Sequence, residues 1–261
     1  MSFRCTSLGS GSKGNATLIA TDSTFLLVDC GFGLKDTQSR LSAKGVSAEQ
    51  LSAILVTHEH GDHASGVARL SKKFNIPVWM TRGTSLHKSC ESISNLHFLN
   101  GGHEVTIGDI DVLPFTVPHD SREPVQFAFH SVGKKIGLLT DIGRITNHTL
   151  DMLSECHLLL LEFNHDAERL ANSKYPAMLK QRIAGDLGHL SNYQSLQLLK
   201  RLKKESLQQV IALHLSEENN SPELVQRLYQ GLDINAEFQI ASQEKGTEWI
   251  TVTLYEDFNK L

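Results

Sequence analysis

Short apolar runs separated by polar turns dominate the chain, and each such run predicts a buried strand. Several runs alternate with longer stretches whose apolar residues recur at helical spacing. This mixture predicts an α/β protein that folds as a single domain over residues 1–261, with no internal linker or repeat. The predicted strands are 3–9, 16–20, 24–28, 53–57, 76–80, 157–161, 210–213, 236–241 and 247–254, with a meander of strands over 96–140; the predicted helices are 34–44, 64–74, 81–94, 166–183, 193–204 and 222–230.

Side chains that can bind metal follow five of the predicted strands, at the point where each strand ends. The densest group, from His58 to His63, directly follows the apolar run 53–56. His58 and His60 are two residues apart, so an extended backbone points both to the same side. Since strand ends at one edge of a sheet converge, these groups are expected to meet. The other four strand ends carry His119, Asp141, Glu162 to Asp166, and His214.

This set of imidazoles and carboxylates predicts two adjacent divalent ions. Zn²⁺, Mn²⁺ or Fe suits it, because no cysteine stands at these positions to favour a softer metal. Ions about 3.5–4 Å apart acidify a shared water, which then supplies hydroxide at neutral pH. Asp29 ends an earlier strand and is expected to accept the N–H of a ligating imidazole; a turn or helix-cap role is the alternative. The predicted ligands are His58, His60 and His119 for one ion, Asp62, His63 and His214 for the other, and Asp141 as the bridge.

Composition restricts the class of protein. The net charge is −4 and the pI is about 6.3, so any contact with nucleic acid must be local rather than a broad basic face. The four cysteines are scattered without C-x-x-C pairs, which predicts neither a zinc knuckle nor a disulfide framework. No apolar run approaches the ~20 residues of a membrane span, and the first residues do not read as a signal peptide. We expect a cytoplasmic protein without a membrane partner.

The run T-H-E-H-G-D-H, followed in order by His119, Asp141 and His214, resembles the metallo-β-lactamase superfamily. That resemblance implies a four-layer αββα sandwich with the metals at the sheet edges. Four further motifs, at 10–15, 29–31, 164–166 and 188–192, are similar to the YycJ (WalJ) subgroup. The subgroup contains bacterial proteins described as 5′→3′ DNA exonucleases and is related to ribonucleases Z and J. Neither an inserted β-CASP domain nor a tRNA-binding arm is recognisable, so an RNA substrate is not implied.

The same resemblance implies roles for residues around the metals. His189 would stand beside the scissile phosphate and either stabilise the phosphorane or protonate the leaving oxygen, with a helix-capping or loop histidine as the alternative. Asp62 would also orient the attacking water. His165 would contact substrate or pin His189, unless it only helps Asp166 to cap a helix. The predicted substrate contacts are Ser12, Asn15, His165 and Asn192, and the basic side chains at 174, 180, 182 and 201–204 are either phosphate contacts or a solvated helix face.

These features predict a binuclear metal-dependent phosphodiesterase, a nuclease of the 5′→3′ DNA exonuclease type that uses a metal-bound hydroxide on DNA ends. The alternative is a thioester or lactone hydrolase of the glyoxalase II kind, which would use the same ligands. A regulatory protein with structural metals would leave the His189 loop without a purpose. A true β-lactamase is disfavoured because Asp141 stands where such an enzyme often has Cys. The oligomeric state is left open.

Overall fold

The computed structural model describes residues 2–203 and 205–253. Two β-sheets and the helices packed on them make up this part of the chain. The strands are β1 (Arg4–Gly9), β2 (Ala16–Ala20), β3 (Phe25–Val28), β4 (Ala53–Leu55), β5 (Val78–Met80), β6 (Leu96–Phe98), β7 (Val105–Ile107), β8 (Ile110–Thr116), β9 (Val125–Ser131), β10 (Lys134–Leu139), β11 (Leu158–Glu162), β12 (Gln209–Leu213), β13 (Glu237–Ile240) and β14 (Ile250–Thr251). The helices are α1 (Leu34–Ala43), α2 (Gly61–Ala64), α3 (Val67–Phe74), α4 (Arg82–Ser85), α5 (Asn147–Leu153), α6 (Ala167–Asn172), α7 (Ala177–Ala184), α8 (Asn192–Arg201) and α9 (Pro222–Gln230).

Both sheets are mixed and have seven strands in the described residues. The first runs in the order β14-β1-β2-β3-β4-β5-β6 and the second in the order β13-β12-β11-β10-β9-β8-β7. The first sheet is antiparallel from β14 to β3 and parallel from β3 to β6. The second is antiparallel from β7 to β10 and parallel from β10 to β13. In a parallel run all carboxyl ends lie at one edge, so the loops that follow these strands meet there.

Three apolar layers hold the sheets and helices together. The central layer, with Phe127 and Phe129, lies between the two sheets and takes side chains from both. A second layer joins the outer face of the first sheet to α1 and α3 through residues such as Leu41 and Leu70. The third joins the outer face of the second sheet to α5, α8 and α9, for example through Leu199. Helices therefore cover both sheets, which confirms the predicted αββα sandwich.

Two predicted helices are each divided in the structure. The helix predicted over 166–183 is two helices, α6 and α7, because Pro176 lies between them with an extended ψ of 147°. Proline lacks the N–H that a continuous helix needs and disfavours helical backbone in the residue before it. The helix predicted over 64–74 is α2 followed by α3, and α2 begins at Gly61. Asp62 and His63 are therefore helical residues rather than loop residues.

Other differences concern short elements. The stretch 81–94 holds only α4 and a single 3₁₀ turn, and β6 pairs with β5 in the first sheet rather than joining the meander of the second. Helix α5 was not predicted. Of the strand predicted over 247–254, the structure shows β14. Residue 254, and residue 204 at the end of the helix predicted over 193–204, lie outside the described residues. Among the helices that the structure describes, none is long and apolar enough to cross a membrane.

Candidate metal centre

The predicted ligands meet at the carboxyl-end edge of both sheets. Strands β3 and β4 deliver Asp29 and His58 from the first sheet, and α2 directly follows β4. Strands β8, β10, β11 and β12 deliver the groups of the second sheet, because β8 runs in the same direction as β10. These ends open on a cavity of about 340 Å³. Its lining includes Ser12, His60, Asp62, Asp141, Asn164, Tyr175, Arg182, His189, His214 and Ser216.

One group brings three imidazoles together, those of His58, His60 and His119. The Nδ1 atom of His60 lies 3.0 Å from Nε2 of His58 and 3.3 Å from Nε2 of His119. Hydrogen bonds on the far side of the His58 and His119 rings assign the nitrogen that carries the proton in each. His119 donates Nδ1–H to the Gly188 carbonyl at 3.1 Å. The Thr57 hydroxyl gives its proton to Asp29, so it accepts from Nδ1–H of His58 at 3.0 Å.

Two imidazole lone pairs therefore converge on Nδ1 of His60 in this group. With Nδ1 of His58 and His119 protonated, both Nε2 atoms present lone pairs toward His60. One proton on Nδ1 of His60 cannot point at both lone pairs at once, whereas a bound cation accepts both. Metal-ligating histidines commonly use their other N–H in this way, to hold the ring and its tautomer.

The second group contains Asp62, His63 and His214. His63 donates Nδ1–H to Oδ2 of Asp29 at 2.8 Å. Its Nε2 lies 3.4 Å from the Asp62 carboxylate and 3.2 Å from Asp141. His214 places Nε2 3.4 Å from Asp62, and its Nδ1 lies 3.2 Å from Glu162. This group again has the rings held from behind and the free nitrogens facing carboxylates.

Asp141 lies between the two groups and is 1% exposed. Its Oδ1 lies 3.9 Å from Nε2 of His119 and its Oδ2 lies 3.2 Å from Nε2 of His63, so one carboxylate reaches both groups. Its Oδ2 is buried and has no hydrogen-bond partner among the described residues, since Nε2 of His63 lies 3.2 Å away but forms no hydrogen bond with it. A buried carboxylate oxygen without a donor is costly unless a cation balances it. The donor set and this oxygen fit divalent metal ions.

The pKa values of the histidines shift in opposite directions in the two groups. Burial lowers the pKa of His58 well below its ordinary value and also lowers the pKa of His119. Burial opposes protonation of His214, but Asp141 and Asp62 outweigh it and raise its pKa to about 10. His63 also has a raised pKa because the same carboxylates outweigh burial. Metal bound by the second group therefore competes with protons there, whereas the lowered pKa values of His58 and His119 favour neutral imidazoles.

The backbone at two of these residues is strained. Asp29 has φ of 60° and His214 has φ of 55°, in the left-handed region that non-glycine residues rarely adopt. Asp29 is held there by bonds from the backbone N–H and hydroxyl of Thr57, each 2.8 Å long. The His214 N–H donates to the Ser10 hydroxyl at 2.9 Å. Strain of this kind persists where surrounding contacts fix it, and it gathers at functional sites.

His189 stands beside the metal groups with a partner that sequence reasoning had not assigned. Its Nδ1 lies 2.8 Å from Oε1 of Glu162, and Asp141 is 3.3 Å away. Glu162 is fully buried at the end of β11, and its other oxygen accepts the N–H groups of Leu190 and Ile142. The sequence predicts a strand that ends at this point but no role for Glu162. A carboxylate at the end of a strand whose four preceding residues are all leucine was the available signal.

The predicted substrate contacts occupy different places. Ser12 is exposed and lines the cavity. Asn15 is buried, and its Nδ2 donates to Oδ2 of Asp62 at 3.3 Å. His165 and Asn192 are each 2% exposed, and the Asn192 N–H donates to the His165 carbonyl. These three side chains are therefore placed to support the loops of the site rather than to face the cavity. Asp166 caps α6 by accepting the Arg169 N–H at 2.9 Å.

Known proteins of one family match most of the chain. The family description "Beta-lactamase superfamily domain" matches residues 24–215. The chain is 36% identical over 228 residues to exodeoxyribonuclease WalJ of Streptococcus pneumoniae, covering 85% of each protein. It is 34% identical over 222 residues to exodeoxyribonuclease YycJ of Bacillus anthracis, covering 83% of this chain and 84% of that one. Among solved structures, the metallo-β-lactamase fold protein YhfI of Bacillus subtilis aligns over 95% of this chain and 99% of its own, with a TM-score of 0.73 and 15% identity.

Proposed function

Because the chain belongs to the metallo-β-lactamase superfamily of hydrolases, and within it to the family of the YycJ and WalJ proteins, we propose that it is a metal-dependent phosphodiesterase that degrades nucleic acid. The finer proposal is a DNA exonuclease of the 5′→3′ type with two divalent ions, Zn²⁺ or Mn²⁺ by ligand type. The names of the two relatives support DNA as the substrate, and the ligand groups support the ions.

The ligand roles follow the two groups of side chains. His58, His60 and His119 would hold one ion, Asp62, His63 and His214 the other, and Asp141 would join them. When bound, such ions polarise a phosphoryl oxygen and acidify water, so that hydroxide attacks at neutral pH.

The chain's own residues position the nucleophile and assist the leaving group. Asp62 lines the cavity and orients the attacking water by accepting a hydrogen bond from it. His189 keeps Nδ1–H on Glu162, which leaves Nε2 as the ring nitrogen available to substrate. In its protonated form Nε2 donates a proton to the leaving oxygen as the P–O bond breaks. The buried Glu162 carboxylate stabilises the charged imidazole and keeps its orientation.

The hydrogen bond between His189 and Glu162 carries the proposal. A histidine oriented by a buried carboxylate, next to a metal centre, matches the need of phosphodiester cleavage for an acid at the leaving alkoxide. A thiolate leaves without such help, so a thioester hydrolase has no use for this pair. The 2.8 Å contact therefore favours the phosphodiesterase over the glyoxalase II-like alternative.

Three substrates separate these activities. Purified protein supplied with Mn²⁺ or Zn²⁺ is assayed on bis-p-nitrophenyl phosphate, on single-stranded DNA labelled at one end, and on S-lactoylglutathione. We expect hydrolysis of the two phosphodiesters, and with 5′-labelled DNA we expect early release of short labelled products. Cleavage of the thioester alone would overturn the proposal. Early release of label from the 3′ end would overturn only the stated direction.

A further inference from the structure

One arginine faces the candidate active site from the second sheet's side. Among the described residues that line the cavity, Arg182 is the one Lys or Arg side chain. It belongs to α7, a surface helix without a buried residue, and its side chain is 56% exposed. The protein is acidic overall, with a net charge of −4, so a phosphate contact here must come from a local cation.

Asp120 fixes the orientation of this arginine. The Nε–H of Arg182 donates to Oδ2 of Asp120. The other carboxylate oxygen lies 3.5 Å from Nε2 of His119 and 3.9 Å from Nε2 of His60. The guanidinium is therefore held next to the first ligand group. Its two terminal amino groups make no hydrogen bond to another described residue, so they remain available as a planar pair of donors.

The backbone of Arg182 is also fixed relative to the catalytic groups. The carbonyl of Ile183 accepts the His189 N–H at 2.8 Å. A Cβ atom added to Gly188 would lie 2.1 Å from the Arg182 carbonyl oxygen, so the two segments are in close contact. The Gly188 carbonyl in turn accepts from His119. Arg182 thus stands at a set distance from both the metal ligands and the proposed acid.

We propose that Arg182 binds the phosphate adjacent to the scissile one in a nucleic-acid strand, with Asp120 as its positioning residue. This inference rests on the proposed function, since it assumes that the scissile phosphate sits at the metal groups. Arginine binds phosphate through two parallel N–H donors, the geometry that its free amino groups offer. A substrate with a second phosphate would gain this contact, and a simple phosphodiester would lack it.

The test measures binding as well as cleavage. The metal-loaded protein is titrated against a fluorescent single-stranded DNA with phosphorothioate linkages, which slow hydrolysis, and Kd is read by anisotropy at several salt concentrations. For Arg182→Ala we expect Kd to rise about 10–100-fold, as for hydrogen bonds to a charged group. The slope of log K against log[salt] should also fall by about 0.7, the value for one phosphate contact on a single strand.

Two further variants sharpen the result. Arg182→Lys keeps the charge but not the fork, so we expect it to keep the salt slope and recover only part of the affinity. Arg227→Ala is the matched control, because it removes one exposed arginine of α9 that does not line the cavity. We expect the Arg227 variant to bind and cleave DNA as the wild type does.

The outcomes distinguish this inference from the function on which it rests. If Arg182→Ala and Arg227→Ala give the same Kd and salt slope, the role of Arg182 is overturned. It is also overturned if the wild-type protein cleaves bis-p-nitrophenyl phosphate but does not bind DNA. If the wild type binds DNA with an Arg182-dependent slope but cleaves no phosphodiester, the inference stands and the proposed function fails.

Discussion

At the scale of single residues, hydrogen bonds behind the ligands decide the chemistry. Glu162 accepts from His189, His214 and two backbone N–H groups, so one buried carboxylate orients both a proposed metal ligand and the proposed acid. Asp29 does the same for His63 and, through Thr57, for His58. The nitrogens that face the centre are thus set by buried partners.

His189→Ala should separate the acid from the metal centre. Because His189 is not one of the seven proposed metal ligands, we expect metal content to stay at the wild-type level while kcat on DNA falls about 10²–10⁴-fold, the range for general acid–base groups. Elemental analysis and steady-state kinetics measure the two effects. His103→Ala, at an exposed histidine in the loop before β7, is the control and should match the wild type. Wild-type turnover in His189→Ala would leave this histidine a structural role only.

At the scale of elements, the loop after β3 and helix α2 pack without space for one added carbon. Backbone hydrogen bonds join Cys30 to His63 at 2.7 Å and Gly31 to Asn15 at 3.0 Å. A Cβ atom at Gly31 would lie 1.8 Å from the Asp62 carbonyl oxygen. Glycine is needed there because of close approach rather than positive φ, and the contact holds Asp62 and His63 in register with Asp29.

Gly31→Ala should therefore damage the site through the backbone. We expect the free energy of unfolding to fall by about 1–3 kcal/mol, the usual cost of overpacking, together with weaker metal binding as α2 shifts. Gly33→Ala is the matched control, because a Cβ atom there meets nothing within 4 Å. Denaturant titration and metal titration of both variants give the comparison. Equal stability of the two would show that the loop relaxes without cost.

At the scale of the whole molecule, the metal centre is built where the two sheets meet. The first sheet supplies the cluster after β4, and the second supplies His119, Asp141 and His214. Ions bound by both sheets should therefore oppose global unfolding, because the unfolded chain does not hold these groups together. The prediction of a single domain over 1–261 stays a prediction.

Removing metal should lower the melting temperature of the wild-type protein. A ligand at 100 times its Kd that binds only the folded state stabilises it by about 2.7 kcal/mol. We expect Tm to fall on treatment with a chelator and to recover on adding Mn²⁺ or Zn²⁺, as followed by calorimetry. Asp141→Ala and His60→Ala should retain fewer ions by elemental analysis, and their Tm should respond less to chelation. If the Tm of the wild type changes neither with the chelator nor with added metal, the metal assignment is contradicted.

The sequence by itself determined the elements that depend on neighbours along the chain. The buried strands, their order and the residues that end them were predictable because apolar periodicity and ligand spacing are local properties. The cluster from His58 to His63 is contiguous, so the sequence alone indicates that it can bind metal. The limits of α7 were not predicted. Pro176 interrupts a stretch whose other residues favour a helix, so the helix divides there.

Only the tertiary structure decided which groups pair. His189 and Glu162 are 27 residues apart, His119 and Gly188 are 69 apart, and Arg182 meets Asp120 across 62. Such partners are joined by packing of the two sheets and their helices, which residue patterns do not report. The tertiary structure also buries Asn15, His165 and Asn192, which were predicted to contact substrate. Burial depends on what packs against a residue rather than on its type.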